Sequence, residues 1–194
     1  MAEHDTLDRF DRYCELLDSL TGATPVISDV EPRVAGDGPV RSVSYIGVPG
    51  PGYVTGFTYG LSLPSHPDWG TRGRELSITV HSDDVEWSRV PARVVAALRG
   101  ICPFNSGQVL GYMETYVGSS AMNSIVLARP AVDCGSGLLD LSLGDVDTKR
   151  RDLVEIIGAY PIYSSERDFV YSRGFDAFWS LGWDRFDPAR TPVA

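Results

Sequence analysis

The sequence lacks the features of several protein classes. No apolar run approaches the ~18 to 20 residues of a membrane-spanning helix, so a helical membrane protein is not expected. Only three cysteines occur among 194 residues, at scattered positions. This odd number predicts free thiols in a reducing, cytoplasmic compartment rather than a disulfide scaffold. With 43% hydrophobic and 22% charged residues, the chain is expected to be globular and not disordered.

Motifs that carry catalytic or metal chemistry are also missing. The three histidines are scattered, and no Gly-x-Ser-x-Gly nucleophile elbow occurs. There is no CxxC, no HExxH and no pair of histidines at helical spacing. Asp145 and Asp147 resemble the start of an EF-hand loop, but Lys149 stands where an oxygen ligand is expected. The sequence therefore predicts no catalytic, cofactor or metal site.

Basic residues are scarce relative to acidic ones. Lysine and arginine together number 17 against 26 aspartates and glutamates, which gives a net charge of −9 at pH 7. An acidic surface repels nucleic acids and anionic membranes, and it attracts basic proteins. We therefore expect a protein partner, with a basic toxin domain as the candidate, and neither nucleic acid nor membrane binding.

The first segment predicts an amphipathic helix over residues 4–21. Its apolar residues recur at spacings of three and four, which places them on one helix face. Acidic residues follow the same spacing on a neighbouring face, either as a solvated surface or as a docking surface for a partner. These candidate partner-binding residues are Asp8, Asp11, Glu15 and Asp18.

After residue 24 the pattern is mainly one of strands separated by glycine and proline. The predicted strands span residues 26–30, 40–48, 53–63, 75–81, 109–113, 124–132, 138–143 and 153–163. A turn over residues 47–52 is predicted to join two of them as a hairpin. A second helix follows Asp83, with Glu86 completing a capping box and Pro91 at the start of its main segment.

Two short helices are predicted near the end of the chain, one capped by Ser164 or Ser165 and one from Gly174. Helices and strands do not alternate strictly along the chain, which disfavours a doubly wound parallel sheet. The expected fold is α/β (α+β), with a mixed, largely antiparallel sheet packed by a few helices. We expect a single domain over residues 1–194, with an irregular tail at about 184–194.

An ordered set of short motifs resembles the Suppressor of fused domain family, in its bacterial single-domain form. The set begins with a strand that ends in aromatic-Gly-Leu-Ser, and a strand with the pattern Glu-Leu-x-hydrophobic follows. A Trp before an amphipathic helix comes next, and then a Ser-Gly turn. An acid near the start of a helix and a glycine before an apolar helix complete the set over about residues 40–182. The residues that carry these motifs are Tyr59, Gly60, Ser62, Glu75, Trp87, Gly107, Glu166 and Gly174.

The resemblance implies a mixed α/β fold without catalysis. Two-lobed eukaryotic relatives hold a transcription-factor peptide between their lobes, whereas this chain is similar to one lobe only. In those relatives the residue after the Ser-Gly turn is an acidic peptide contact, and here that position is Gln108, a candidate partner-binding residue. Single-lobe bacterial members of the family are often immunity proteins against toxins. We expect structural roles for three of the motif residues. Gly60 permits a close backbone approach, Trp87 fills the core, and Glu166 caps a helix.

Three functions remain open at this point. The preferred one is a cytoplasmic immunity or antitoxin protein that neutralises a toxin by direct contact. The second is a regulatory protein-interaction module with an unknown partner. The third is a small hydrolase or transferase built on Cys102, Cys134 or His81, which requires these side chains to share one cleft.

Overall fold

A computed structural model describes residues 2–34, 38–111, 114–134, 137–142 and 152–194, with side chains described from Arg9 onward. The helices in these ranges are α1 (Ala2–Thr21), α2 (Val90–Leu98), α3 (Ser164–Arg173) and α4 (Phe175–Trp179). The strands are β1 (Val26–Val30), β2 (Val40–Ile46), β3 (Tyr53–Tyr59), β4 (Gly73–His81), β5 (Val109–Gly111), β6 (Ser124–Ala128), β7 (Leu138–Asp140) and β8 (Leu153–Ile162). Short 3₁₀ helices span Pro67–Trp69 and Val85–Arg89.

These strands form one sheet in the order β1-β2-β3-β4-β8-β6-β5, and β7 pairs with the first residues of β8. All described pairs are antiparallel except β4 and β8, which run parallel from Gly73 opposite Val154 to Ser77 opposite Gly158. The predicted α/β fold with a mixed, largely antiparallel sheet is confirmed. The sheet order places β1 and β5 at its two edges.

The predicted hairpin between β2 and β3 is confirmed. β1 pairs with the other side of β2. Gly47 and Gly52 have φ values of +77° and +78°, a left-handed conformation that favours glycine. β2 therefore ends at Ile46, before this turn. β3 ends at Tyr59, earlier than predicted, because the backbone of residues 60–62 turns away to hydrogen bond with Glu75.

Other strand ends differ from the prediction by a few residues. β4 begins two residues early, at Gly73, and β6 ends at Ala128, two residues before Pro130. The predicted ends of β5 and β7, and the EF-hand-like segment, lie outside the described residues. These positions are Met113, Leu143, Asp145, Asp147 and Lys149.

Helices cover both faces of the sheet. On one face, α2 and Trp87 bury a core that includes Leu76, Ile78 and Ile157. On the other face, α1 covers the sheet near β2 and β3, while α3, α4 and the C-terminal segment cover β6 and the end of β8. Successive residues of a strand point to opposite faces, so β8 contributes Ile156 to one core and Ile157 to the other.

Helix α1 packs on the sheet through a slightly different stripe from the one expected. Phe10, Tyr13 and Leu17 are buried, whereas Cys14 is half-buried at the border of the stripe. Tyr13 contacts Tyr59 with a ring-centroid distance of 5.4 Å, so a tyrosine that the apolar spacing did not single out lies on the inner face of α1. The outer side of α1 is left to the acidic residues.

The predicted helix caps are wrong by one residue. Asp84, and not Asp83, accepts a hydrogen bond from the Glu86 N–H at 3.1 Å, and it caps the 3₁₀ helix Val85–Arg89. Pro91 lies in the first turn of α2, as predicted. At α3 the N-cap position is Tyr163, whose N–H donates to Glu166 Oε2 at 2.9 Å. The Glu166 carboxylate, three residues into the helix, thus accepts the hydrogen bond of the N-cap N–H, as in a capping box.

Candidate protein-binding site

The four acidic residues predicted on α1 do not share one environment. Asp11 and Glu15 are exposed, and Glu15 pairs with Arg12 at 3.2 Å. Asp18 is partly buried and accepts a hydrogen bond from the Tyr45 hydroxyl at 2.7 Å, so it also fastens α1 to β2. The side chain of Asp8 lies outside the described residues. Asp11 and Glu15 are therefore the most exposed of the described candidates.

The acidic residues of α1 affect the pKa of Cys14, a thiol on the same helix. Burial, followed by the charges of Asp18 and Asp11, raises the pKa of Cys14 from 9.0 to about 11, while Arg41 opposes the shift. The thiol therefore stays protonated at neutral pH and is a weak nucleophile. Asp11, Cys14 and Asp18 recur at spacings of three and four residues, so they lie on one side of α1.

Arg41 connects this side of α1 to the edge of the sheet. Its guanidinium lies over the Phe10 ring, 4.1 Å from the centroid, and its Nε lies 3.8 Å from Asp29 of β1. Asp29 is directly opposite Arg41 in the β1–β2 register. The acidic flank of α1 and the edge strand β1 therefore adjoin one another. We call this surface the α1–β1 surface, defined by Asp11, Asp18, Ile27 and Asp29.

The Tyr-Gly-Leu-Ser motif wraps around the fully buried carboxylate of Glu75. Its oxygens accept hydrogen bonds from the Thr58 hydroxyl at 2.6 Å, the Ser62 hydroxyl at 2.7 Å and the N–H groups of Gly60 and Ser62, each at 2.9 Å. Burial raises the pKa of Glu75, and these donors oppose that shift by stabilising the carboxylate. Glu75 therefore fixes the shape of this loop and is not available to a partner.

The same loop holds α1. Arg9 Nη1 donates to Ser62 Oγ at 3.2 Å, and Ser62 in turn donates to Glu75. Gly60 has φ +132°, and a Cβ there would lie 3.3 Å from Val40 Cα, so a close backbone approach is present at this position. Tyr59 adds a ring contact with Phe10 at 4.9 Å.

The other family-motif residues also have internal contacts. Trp87 is buried below α2. Gly107, with φ +83°, donates its N–H to the Leu127 carbonyl at 2.6 Å, and Gly174, with φ +90°, separates α3 from α4. Glu166 is fully buried and paired with Arg190 at 2.6 Å.

Arg190 is the principal structural residue that the sequence reading did not single out. It lies 24 positions from Glu166, and nothing local to either residue signals the pair. The Tyr163 hydroxyl donates to the Arg190 carbonyl, and the His81 N–H donates to the Phe186 carbonyl at 2.7 Å. These contacts fix the C-terminal segment against the sheet.

Gln108 is engaged within its own loop. Its Nε2 donates to Cys102 Sγ at 3.2 Å, and its Oε1 accepts a hydrogen bond from the Asn105 N–H at 3.1 Å. The side chain therefore shapes the loop that precedes β5. A role in partner binding stays a prediction for Gln108.

The residues of the enzymatic alternative do not share one cleft. Cys102 belongs to the core below α2, and Cys134 belongs to the core below α1, on the opposite face of the sheet. His81 contacts the Tyr53 ring at 4.8 Å near the end of β4. Burial raises the pKa of both thiols. The geometric condition for this alternative is not met.

Two further classes of site are not found in the described part of the chain. No group of three or more His, Cys, Asp or Glu side chains there could hold a metal ion. No described helix has both the length and the apolar character needed to cross a membrane.

A groove of about 570 Å³ lies between α2 and the end of β5. Apolar side chains of α2 and Leu110 line it, with Arg33 and Glu114 among its charged residues. This groove could not be predicted from the sequence, because α2 and β5 meet only through the long-range order of the sheet.

Comparisons with known proteins agree with this architecture. The family model described as Suppressor of fused protein matches residues 36–191. None of the curated proteins matches the chain. Among solved structures, a Suppressor of fused homolog from Neisseria gonorrhoeae is 13% identical, with a TM-score of 0.61 and coverage of 97% of this chain and 96% of that one.

Two further structures show the same fold. A chain in the Sufu–Fu complex is 11% identical, with a TM-score of 0.66 and coverage of 94% of this chain and 91% of that one. Drosophila Suppressor of fused is 12% identical, with a TM-score of 0.64. That alignment covers 92% of this chain but only 49% of the Drosophila chain, so this chain spans about half of the Drosophila protein.

Proposed function

Since this chain belongs to the Suppressor of fused family, we propose that it is a cytoplasmic, non-catalytic protein that neutralises a basic toxin by direct contact. The fold is that of a protein-interaction domain, and one protein of this fold is seen in the Sufu–Fu complex. The family is non-enzymatic and regulatory, which is consistent with the separation of Cys102 from Cys134 across the sheet.

The observation that carries the proposal is the outward-facing acidic side of α1. Asp11 and Glu15 are exposed on a chain whose net charge is −9. A protein with this charge attracts a basic partner over distances of about a Debye length and speeds their encounter. Electrostatic complementarity of this kind governs the association rate more than the final affinity. An inhibitor that must reach a toxin quickly benefits from that property.

Affinity capture from the native lysate, washed at low and high salt and read by mass spectrometry, identifies the partner. We expect one basic protein with a toxic activity that this chain suppresses. Its association rate is then measured for the wild type and for the Asp11→Asn/Glu15→Gln variant. The variant is expected to associate several-fold more slowly, with a weaker dependence on salt.

The matched control is Asp83→Asn/Asp176→Asn, which removes the same charge from exposed positions outside α1. An unchanged association rate in the α1 variant, or an equal effect in the control, would remove α1 from the interface. A captured partner without toxic activity would replace the immunity role with that of a regulatory interaction module.

A further inference from the structure

The edge strand β1 has an open hydrogen-bonding side. In the described part of the chain it pairs only with β2, from Val26 opposite Ser44 to Val30 opposite Val40. In an antiparallel edge strand, alternate residues direct their N–H and C=O groups away from the neighbouring strand. Such an edge is a template for the addition of another extended segment.

β1 carries few of the features that usually protect an edge. Proteins block edge strands with proline, bulges or several charges. The five residues of β1 contain no proline and a single charged residue, Asp29. Val26 is 61% exposed and Ile27 is 47% exposed, so apolar side chains lie uncovered on this edge. The strand is therefore suited to receive a partner strand.

Helix α1 determines the charge beside this edge. Phe10 lies against Arg41, and Asp18 lies against Tyr45, so α1 runs along β2 in the same direction as that strand. Asp11 and Asp18 share one flank of α1, about two turns apart. Arg41, whose guanidinium lies over Phe10 of the same helix, is opposite Asp29 in the β1–β2 register. Three carboxylates therefore accompany one guanidinium along the α1–β1 surface.

We propose that β1 is the docking strand for an extended, basic segment of a partner protein, which adds to the sheet beside β1 and directs lysine or arginine side chains toward Asp11, Asp18 and Asp29. The inference rests on the proposed function in taking the partner to be a basic protein. A second copy of this chain is a poorer occupant, because it would bring a second net charge of −9 to the same acidic surface.

The proposal is tested with a fluorescent peptide of alternating lysine and valine, seven residues long. Binding is measured by anisotropy at low salt, and backbone hydrogen exchange is measured by NMR. The peptide is expected to bind and to slow exchange at N–H groups of residues 26–30. The same peptide N-methylated at its three central residues keeps every charge but loses N–H donors on both edges, and it is expected to bind at least fivefold more weakly.

Variants of the full chain locate the contact. Asp29→Asn is expected to weaken binding about twofold to fivefold, as for an exposed ion pair. Ile27→Lys places a like charge on the edge and is expected to weaken binding further. Asp176→Asn, which removes the same unit charge from α4, is expected to bind as the wild type does. Circular dichroism and thermal unfolding verify that each variant folds.

Several results would overturn the proposal. Equal binding of the N-methylated peptide would show a purely electrostatic association without strand addition. Slowed hydrogen exchange at Val109–Gly111, and not at residues 26–30, would show that the peptide adds to the edge strand β5 and not to β1. A dimer in sedimentation equilibrium that the peptide dissociates would make the occupant a second copy. An absence of peptide binding, together with slowed association of the captured partner in the α1 variant, would reject β1 docking while leaving the proposed function intact.

Discussion

The close approach of β3 to the 3₁₀ helix before α2 provides a quantitative test of the packing. A Cβ on Gly56 would overlap the Ser88 carbonyl oxygen and lie 2.7 Å from both Ser88 Cα and its carbonyl carbon. Non-bonded carbon atoms prefer about 3.5 to 4.0 Å, so Gly56→Ala requires a backbone displacement of about 1 Å. That displacement would also stretch the 3.2 Å hydrogen bond from Ser42 Oγ to the Ser88 carbonyl.

The energetic cost follows from these two effects. Overpacking a filled core costs about 1–3 kcal/mol, and a lost hydrogen bond costs about 1 kcal/mol. The lower backbone entropy of alanine in the unfolded state returns about 0.4–1 kcal/mol. We therefore expect Gly56→Ala to lower the free energy of unfolding by about 2–3 kcal/mol.

Urea unfolding followed by tryptophan fluorescence measures this loss. With an m-value of about 2 kcal/mol/M, the midpoint is expected to fall by about 1–1.5 M. Gly118→Ala is the matched control, because no atom lies within 4 Å of a Cβ there. A Gly56→Ala variant as stable as Gly118→Ala would refute the close approach and with it the placement of Trp87 against the sheet.

Two further predictions concern buried and partly buried groups. Arg190→Ala leaves the fully buried Glu166 without its cation, and it is expected to lower the free energy of unfolding by about 3–5 kcal/mol, measured by thermal or urea unfolding. Arg12→Ala removes one partner of an exposed pair and is expected to lower it by about 0–1 kcal/mol. Similar losses in both variants would contradict the burial of the Glu166–Arg190 pair. The Cys14 thiol has a folded-state pKa of about 11 against an ordinary 9.0, so its contribution to stability is full below pH 9 and is lost as the pH rises through 11. Cys14→Ala is expected to reduce the decline in unfolding free energy at alkaline pH. Identical pH profiles of the variant and the wild type would show that the pKa of Cys14 is not raised.

Local patterns predicted the elements well where the determinants are close in sequence. The Gly47–Gly52 turn and the alternation along β2 define a hairpin without any long-range information. The end of β3 was missed because it depends on Glu75, which lies 13 to 17 positions away from the groups that it accepts. Tyr13 was missed as an inner residue because its hydroxyl makes it look amphipathic, although the ring is fully buried.

The candidate surface could be predicted only in part for a related reason. The spacing of Asp11, Glu15 and Asp18 identified an acidic helix flank, but the register of α1 on β2 depends on tertiary contacts with Arg41 and Tyr45. The position of β1 at the sheet edge depends on which strands pair, and loops of many residues separate those strands. Hydrophobic periodicity contains neither kind of information.

The buried loop around Glu75 bears on how α1 and β1 act together. Arg9 joins α1 to Ser62, Glu75 fixes Ser62, and Asp18 joins the other end of α1 to Tyr45. The helix is therefore held to the sheet at two points about two and a half turns apart, so its acidic flank keeps a fixed offset from β1. A fixed offset lets strand addition and charge pairing reinforce one another, since neither requires the helix to be reordered when a partner binds. In the proposed mode of binding, the Suppressor of fused motif would contribute indirectly, by fixing the orientation of a surface that it does not itself form.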